Sequence, residues 1–288
     1  MKQIAVISGK GGTGKTIIAA SFACLAGKKV LIDCDVDASN LHILLRPETV
    51  RQSEFSGSQI AVIHNDTCLP CGLCESYCRF GAIVDSQIDP MSCEGCGVCF
   101  HTCPERAITM EEKVDGIWFV SETKYGPFVH ARLGAGRPNS GKLVSLLKRE
   151  AADIARNGDF DYIVVDGPPG IGCPFISTLS GVDVALVVTE PTLSGLHDLE
   201  RAVKTADHFD VKSVVCINKH DLNERMSREI EATCGKQGIP VIGKISFSEA
   251  VQDAVNHCLP VLEYSSNGPA KEITMLWDNL VDYLNADI

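Results

Sequence analysis

Short, continuous apolar runs recur along this chain, and each ends on a polar or charged residue. They are "QIAVIS" (residues 3–8), "KKVLIDCD" (28–35), "YIVVDGPPG" (162–170), "VDVALVVTE" (182–190) and "KSVVCINK" (212–219). Strands covered on both faces have this unbroken hydrophobicity, so the pattern predicts a mostly parallel sheet. Between the runs the period changes to that of helices. "TIIAASFACLAG" predicts a helix ending near Gly27, and "SGKLVSLLKREAADIARNG" and "SGLHDLERAVKTADHF" predict two more. Strand–helix–strand order lies on both sides of a middle segment that lacks these periods. The reading is an α/β fold, one doubly wound, mostly parallel sheet with an insertion. The insert is placed at residues 59–120, leaving 1–58 and 121–288 as one discontinuous domain.

Composition narrows the class. The chain has 288 residues, 45% of them hydrophobic but only 6% aromatic, so its core must rest on aliphatic side chains. A net charge of -11 disfavours a nucleic-acid partner, because phosphate backbones call for basic patches. No run of eighteen apolar residues exists to span a bilayer. The N-terminus enters a strand at once, unlike a signal peptide. With 14 cysteines, that start points to a reducing, cytoplasmic setting and metal chemistry.

The middle segment repeats itself. Cys68, Cys71, Cys74 and Cys78 are matched by Cys93, Cys96, Cys99 and Cys103, Gly72 by Gly97, and Ala82-Ile83 by Ala107-Ile108. C-x2-C-x2-C-x3-C, twice, is the bacterial two-cluster ferredoxin pattern, in which the fourth cysteine of each run ligates the other cluster. That rule assigns Cys68, Cys71, Cys74 and Cys103 to one 4Fe–4S cluster, and Cys93, Cys96, Cys99 and Cys78 to a second. Zinc sites separate their C-x-x-C pairs by longer stretches. Pro104 follows Cys103 as the pattern expects, but Arg79 follows Cys78. Arg79 either tunes that cluster or simply faces solvent.

"GKGGTGKT", Gly9 to Thr16, fits G-x-x-x-x-G-K-T between a strand and a helix. Gly9, Gly11, Gly12, Thr13 and Gly14 turn backbone N–H groups toward phosphate oxygens. Lys15 meets the β- and γ-phosphates, and the Thr16 hydroxyl holds Mg²⁺. A second match, Gly136 to Leu143, puts Leu143 where a hydroxyl is needed, and is read as a turn and helix start.

With Lys10 added, "KGGTGKT" resembles the deviant-Walker P-loop ATPases: MinD, ParA, Mrp and the nitrogenase iron protein. The resemblance implies that Lys10 reaches nucleotide phosphates across a dimer, formed with an identical chain or a paralogue. "LIDCDVDASNL" is similar to the family's switch I, implying Asp33 near Mg²⁺ and Asp35 orienting the attacking water. "VVDGPPG" is similar to switch II, implying Asp166 on Mg²⁺-bound water and Gly170 at the γ-phosphate. "CINK" resembles the adenine-side motif, implying a base contact from Asn218. Lys10, Lys15, Asp35 and Asp166 form the expected catalytic set.

Cys173 lies seven residues after Asp166, an offset similar to that of a cluster ligand in the nitrogenase iron protein, but no second such cysteine occurs and the C-P-x-C of Mrp-type carriers is absent. Core packing is its plainer reading. The C-terminal "AKEITMLWDNLVDYLNADI" has an apolar face but an acidic polar face, unlike a membrane-docking tail. The expected function is a MinD-type ATPase whose dimeric ATP cycle, with Mg²⁺, is coupled to electron transfer to a redox partner protein. The alternatives are an iron–sulfur cluster carrier, or a positioning or regulatory ATPase with a redox-sensing insert.

Overall fold

The computed structural model describes residues 1–134 and 140–286. In chain order the elements are β1 (Lys2–Ser8), α1 (Lys15–Leu25), β2 (Lys29–Asp33), α2 (Leu41–Leu45), β3 (Glu48–Ile63), α3 (Leu73–Tyr77), β4 (Ile83–Val84), β5 (Gln87–Ile88), α4 (Val98–Thr102), β6 (Ile108–Thr123), β7 (Gly126–Leu133), α5 (Ser140–Asn157), β8 (Tyr162–Pro169), α6 (Cys173–Leu179), β9 (Val184–Thr189), α7 (Leu193–His208), β10 (Lys212–Asn218), a 3₁₀ turn (His220–Asn223), α8 (Glu224–Lys236), β11 (Val241–Ile245), α9 (Glu249–Asn256), α10 (Val261–Tyr264) and α11 (Pro269–Ala286).

Nine of the described strands form one sheet in the order β11-β10-β9-β1-β8-β2-β7-β6-β3, and β4 and β5 pair antiparallel in a second. From β11 to β7 the pairings are parallel. The central strands β1, β2, β8 and β9 are almost wholly buried, as their unbroken apolar runs require. Lys124 and Tyr125 alone connect the neighbours β6 and β7, a link short enough only for an antiparallel pair.

Two compact units emerge. The larger holds Met1–Ser53, Trp118–Arg132 and the chain from Ser140 onward. Its core packs α1 and α11 on the sheet, with Phe22 against Trp277 at 4.9 Å between ring centres. Ile273, Leu276, Leu280 and Leu284 are all buried, so the apolar face of the last helix is spent on its own domain. No helix among the described residues is long and apolar enough to cross a membrane.

The smaller unit is Glu54–Ile117, joined by Leu133 and Gly134; its limits differ by a few residues from the 59–120 read in the sequence. The internal repeat is visible in its backbone. Gly72 and Gly97 both sit at φ 74° and each opens a five-residue helix, α3 and α4. A left-handed backbone is nearly free only to glycine, so each repeat needs that residue to turn into its helix. Buried Asp115 ties the long strands together, accepting hydrogen bonds from Gly57 N (3.0 Å) and Ser58 Oγ (2.7 Å).

Candidate functional site

The loop between β1 and α1 lies at the carboxyl end of the parallel strands, where an α/β sheet opens a crevice. Gly12 and Gly14 have φ of 82° and 92°, values that L side chains resist. Gly9 is required for a different reason. A Cβ there would lie 2.4 Å from the carbonyl oxygen of Asp198 on α7. No protein atom lies within 4 Å of a Cβ built at Gly11, so that position faces open space.

An open cavity of about 630 Å³ borders this loop, with Gly11, Gly12, Gly14, Lys15 and Thr16 on one side and Asp35, Pro169, Asn218 and Lys219 on others. Lys15 is buried, with Nζ 3.1 Å from Asp35 Oδ2 and 3.9 Å from Asp166 Oδ1. Burial alone would lower its pKa, but Asp166 and Asp35 outweigh that and hold it above the ordinary lysine value.

Asp33, at the end of β2, and Asp166, beside it on β8, differ in how they are used. Asp33 is spent on its own loop: Oδ1 accepts from Asp35 N (3.0 Å), and Oδ2 from Ser39 Oγ (2.8 Å) and Leu41 N (3.3 Å). Asp166 is fully buried on the neighbouring strand, and neither of its oxygens has a hydrogen-bond partner. A buried carboxylate without donors is costly, and a hydrated divalent cation supplies what it lacks. The residues therefore fit Mg²⁺, which the Thr16 hydroxyl and Asp166 would hold. Burial raises the Asp166 pKa to about 7 and the Asp33 pKa to about 6, against the pull of Lys15. Gly170, at φ 86°, donates its N–H to Ser8 O at 3.1 Å, tying the start of the loop after β8 to the strand beside it.

Lys10 is held within its own chain. Its Nζ lies 2.5 Å from Glu190 Oε1 and donates to Ser194 Oγ at 3.1 Å and Thr192 Oγ at 3.4 Å. Glu190 also meets Lys219 Nζ at 3.4 Å. Burial would raise the Glu190 pKa, but the two lysines hold it below the usual carboxylate range. Glu190 was missed in the sequence, although its signal is there: it follows the β9 run, where a strand-end carboxylate reaches the crevice.

Asn218 and Lys219 staple the phosphate loop from the end of β10. Asn218 Nδ2 donates to Thr13 O at 2.8 Å, and Lys219 Nζ to Gly12 O at 3.2 Å. A Cβ at Gly14 would fall 2.3 Å from Asn218 Nδ2, so glycine there lets the staple close. Both residues still line the cavity.

The smaller unit contains two small cavities, each of about 20 Å³. Cys68, Cys71, Cys74 and Cys103 line one. Cys78, Cys93, Cys96 and Cys99 line the other. All 14 cysteines are free thiols. The last thiol of each run receives a backbone N–H, Cys78 Sγ from Ala82 N (3.4 Å) and Cys103 Sγ from Ala107 N (3.3 Å). Among the described residues, no three His, Cys, Asp or Glu side chains converge on the position of a single metal ion. The Arg79 guanidinium lies over the Phe80 ring, 4.8 Å from its centre.

Cys173 is exposed at the first position of α6, and a Cβ on Gly141 would sit 3.2 Å from its Cβ. Of the second glycine-loop match, residues 136–139 lie outside the described residues; Ser140 begins α5 and Leu143 is buried in the core.

Comparison with known proteins supplies the context. Residues 4–261 match the model of the CobQ/CobB/MinD/ParA nucleotide binding domain. The chain is 38% identical to the uncharacterized protein MJ0578 of Methanocaldococcus jannaschii over 225 residues, covering 77% of this chain and 79% of that one. It is 23% identical to an iron–sulfur cluster carrier protein of Pyrococcus horikoshii, over 98% of this chain and 86% of the other. In fold it is similar to the septum site-determining protein MinD of Pyrococcus horikoshii complexed with Mg-ADP. There the TM-score is 0.62 at 14% identity, covering 100% of this chain and 98% of that one.

Proposed function

This chain belongs to the CobQ/CobB/MinD/ParA nucleotide-binding domain family, and from that premise we propose a MinD-type ATPase whose nucleotide cycle, run in a dimer, is coupled to electron transfer through two 4Fe–4S clusters. The observation that carries the redox half is the lining of the two cavities. Each holds three cysteines of one run and the last cysteine of the other, the crosswise sharing of two-cluster ferredoxins. The thiols surround a volume instead of meeting at a point, which suits a cube-shaped cluster better than a single ion. Such clusters, when bound, store and pass single electrons at potentials set by their surroundings. The N–H groups on Cys78 and Cys103 would steady charge on those sulfurs.

At the nucleotide site the chain's own groups carry the reaction. Lys15 would trade Asp35 and Asp166 for the phosphates, since a phosphate anion is the stronger partner for a buried ammonium. That exchange frees Asp35 to orient water at the γ-phosphate and Asp166 to accept from Mg²⁺-bound water. Mg²⁺ supplies charge neutralisation along the phosphates. Lys10 would leave Glu190 to reach the nucleotide of a second protomer. The dimer partner is an identical chain or a paralogue, and the electrons come from or go to a separate redox protein.

Similarity to the Pyrococcus horikoshii cluster carrier favours a second reading, delivery of a labile cluster. Anaerobic purification followed by a paramagnetic resonance titration with and without Mg-ATP separates them. Two retained clusters, with potentials shifted by nucleotide, support the electron-transfer reading. A shift of about 59 mV corresponds to a tenfold change in nucleotide affinity between redox states. Loss of iron to an acceptor protein on ATP addition favours the carrier. Zinc in place of iron overturns both.

A further inference from the structure

We propose that the smaller unit carries a binding site for a flat, uncharged, redox-active ring of the flavin class, placed beside Cys96 to exchange electrons with the cluster that Cys96 would hold. The inference rests on the electron-transfer reading and adds to it the chemistry of the molecule at the other end of the transfer. It begins with a third cavity in that unit, of about 550 Å³ and open to solvent. Gly95, Cys96, Gly97 and Met110 line both this cavity and the one bounded by Cys78, Cys93, Cys96 and Cys99. The two spaces share that wall. Gly95 and Gly97 sit at φ 64° and 74°, and a Cβ at Gly95 would fall 2.2 Å from Gln59 O. Glycine is favoured at both positions, so Cys96 brings the only side chain of that three-residue segment.

The rest of the lining sets the ligand's chemistry. Phe100 is 43% exposed, and its ring stands edge-on to His101 at 5.0 Å between centres. An exposed aromatic ring that lines a cavity offers a stacking surface to a second π system. Met110 adds a polarizable thioether. Around them are Gln59 and Thr109, uncharged groups that both donate and accept hydrogen bonds, and the His101 imidazole. Thr109 Oγ1 is paired with His64 Nε2 at 2.9 Å, which orients the hydroxyl and leaves it capacity for a further bond. Among the described residues, no Asp, Glu, Lys or Arg lines this cavity. An anion therefore finds no cation there, and a cation no counter-charge. A saturated apolar ligand would leave Gln59 and Thr109 facing carbon. A conjugated ring edged with carbonyls and ring nitrogens suits every part of the lining.

The reaction is electron transfer with proton uptake. Each passage takes one electron from a reduced cluster at the Cys96 side. Two passages and two protons convert the oxidised ring to its dihydro form, with the protons taken by ring nitrogens. His101 borders the cavity and can pass protons in from solvent. Run in reverse, the dihydro ring gives up the same electrons and protons and loads the cluster. Cys96 is the point of approach, because Gly95 and Gly97 add no side chain to the shared wall. The ring has two sources, a free mononucleotide or a partner flavoprotein, and they differ in what trails behind the ring.

The test is anaerobic equilibrium dialysis of lumiflavin, the ring without its ribityl phosphate, against the full chain. Saturable binding is expected. Phe100→Ala should weaken it about tenfold, and Phe100→Tyr, which keeps an aromatic ring, should stay within about twofold of wild type. Thr109→Val should weaken it about threefold to tenfold through the lost hydrogen bond. Tyr77 is exposed but outside the lining, so Tyr77→Ala should bind as wild type does. Equal loss in Tyr77→Ala and Phe100→Ala would reduce the binding to non-specific stacking and overturn the site. FMN bound as tightly as lumiflavin supports the site with a free mononucleotide as its occupant. FMN excluded while lumiflavin binds supports it with a ring held by a partner protein. No saturable binding of lumiflavin, with iron retained in both clusters, would overturn this inference alone. Zinc in place of iron would overturn the electron-transfer reading and this inference with it.

Discussion

Lys10 is ion-paired with Glu190 of its own chain at 2.5 Å, although the family resemblance assigns that lysine to a second protomer. Removing the pair's charge should favour release. Glu190→Gln is expected to tighten Mg-ATP-dependent dimerisation about threefold to tenfold, in line with about 1 kcal/mol for a partly exposed ion pair. Sedimentation velocity across a concentration series reads this directly. A weaker dimer would show that Glu190 serves only to brace Lys219.

Lys15→Ala should abolish ATP hydrolysis and leave unchanged any visible absorption from the proposed clusters, because Lys15 and the two cysteine runs lie in separately compact units. Lys10→Ala should keep much of the nucleotide binding and lose only the part of the rate that rises with protein concentration. Equal loss in a strictly monomeric protein would remove the sandwich from the picture.

The pH dependence follows from Asp166 and Asp33, whose pKa values are raised to about 7 and about 6 by burial. The folded chain holds these protons more tightly than the unfolded chain, in which aspartate titrates near 3.9. Stability of the nucleotide-free protein should therefore fall as pH rises from about 4 through 7. Mg²⁺ requires the ionised form, so Mg-ADP affinity should rise over pH 6 to 8. Asp166→Asn should flatten both trends, as thermal melting with and without Mg-ADP would reveal.

Cys74→Ser and Cys78→Ser test the crosswise sharing. Each should cost about half the iron, but from different clusters, because Cys74 and Cys78 line different cavities despite sharing one run. Loss of the same resonance signal in both variants would assign the run to a single cluster.

Much of this was legible in the chain because strong local constraints act there. The buried strands β1, β8, β9 and β10 appear as apolar runs, and Gly9, Gly12 and Gly14 of the phosphate loop mark close approach or positive φ. The edge of the sheet was not legible. In Glu48–Ile63 only Phe55 and Ala61 are buried, so no apolar run betrays a 16-residue strand. Pairings that join distant segments also escaped. Nothing near Lys10 in sequence points to Glu190, and nothing near Asn218 points to Thr13. The grouping of the cysteines around two cavities follows the repeated spacing, which is visible even where fold periodicity is silent.

The chain leaves the larger unit along β3 and returns along β6, and these strands are neighbours in the sheet. Their axes are therefore only about 4.8 Å apart. A segment whose two ends emerge that close together can be grafted or excised with little change in loop-closure entropy. The cysteine-bearing portion is in this sense a cassette on an edge hairpin. Replacing it by a short turn should leave a nucleotide-binding domain that folds without iron.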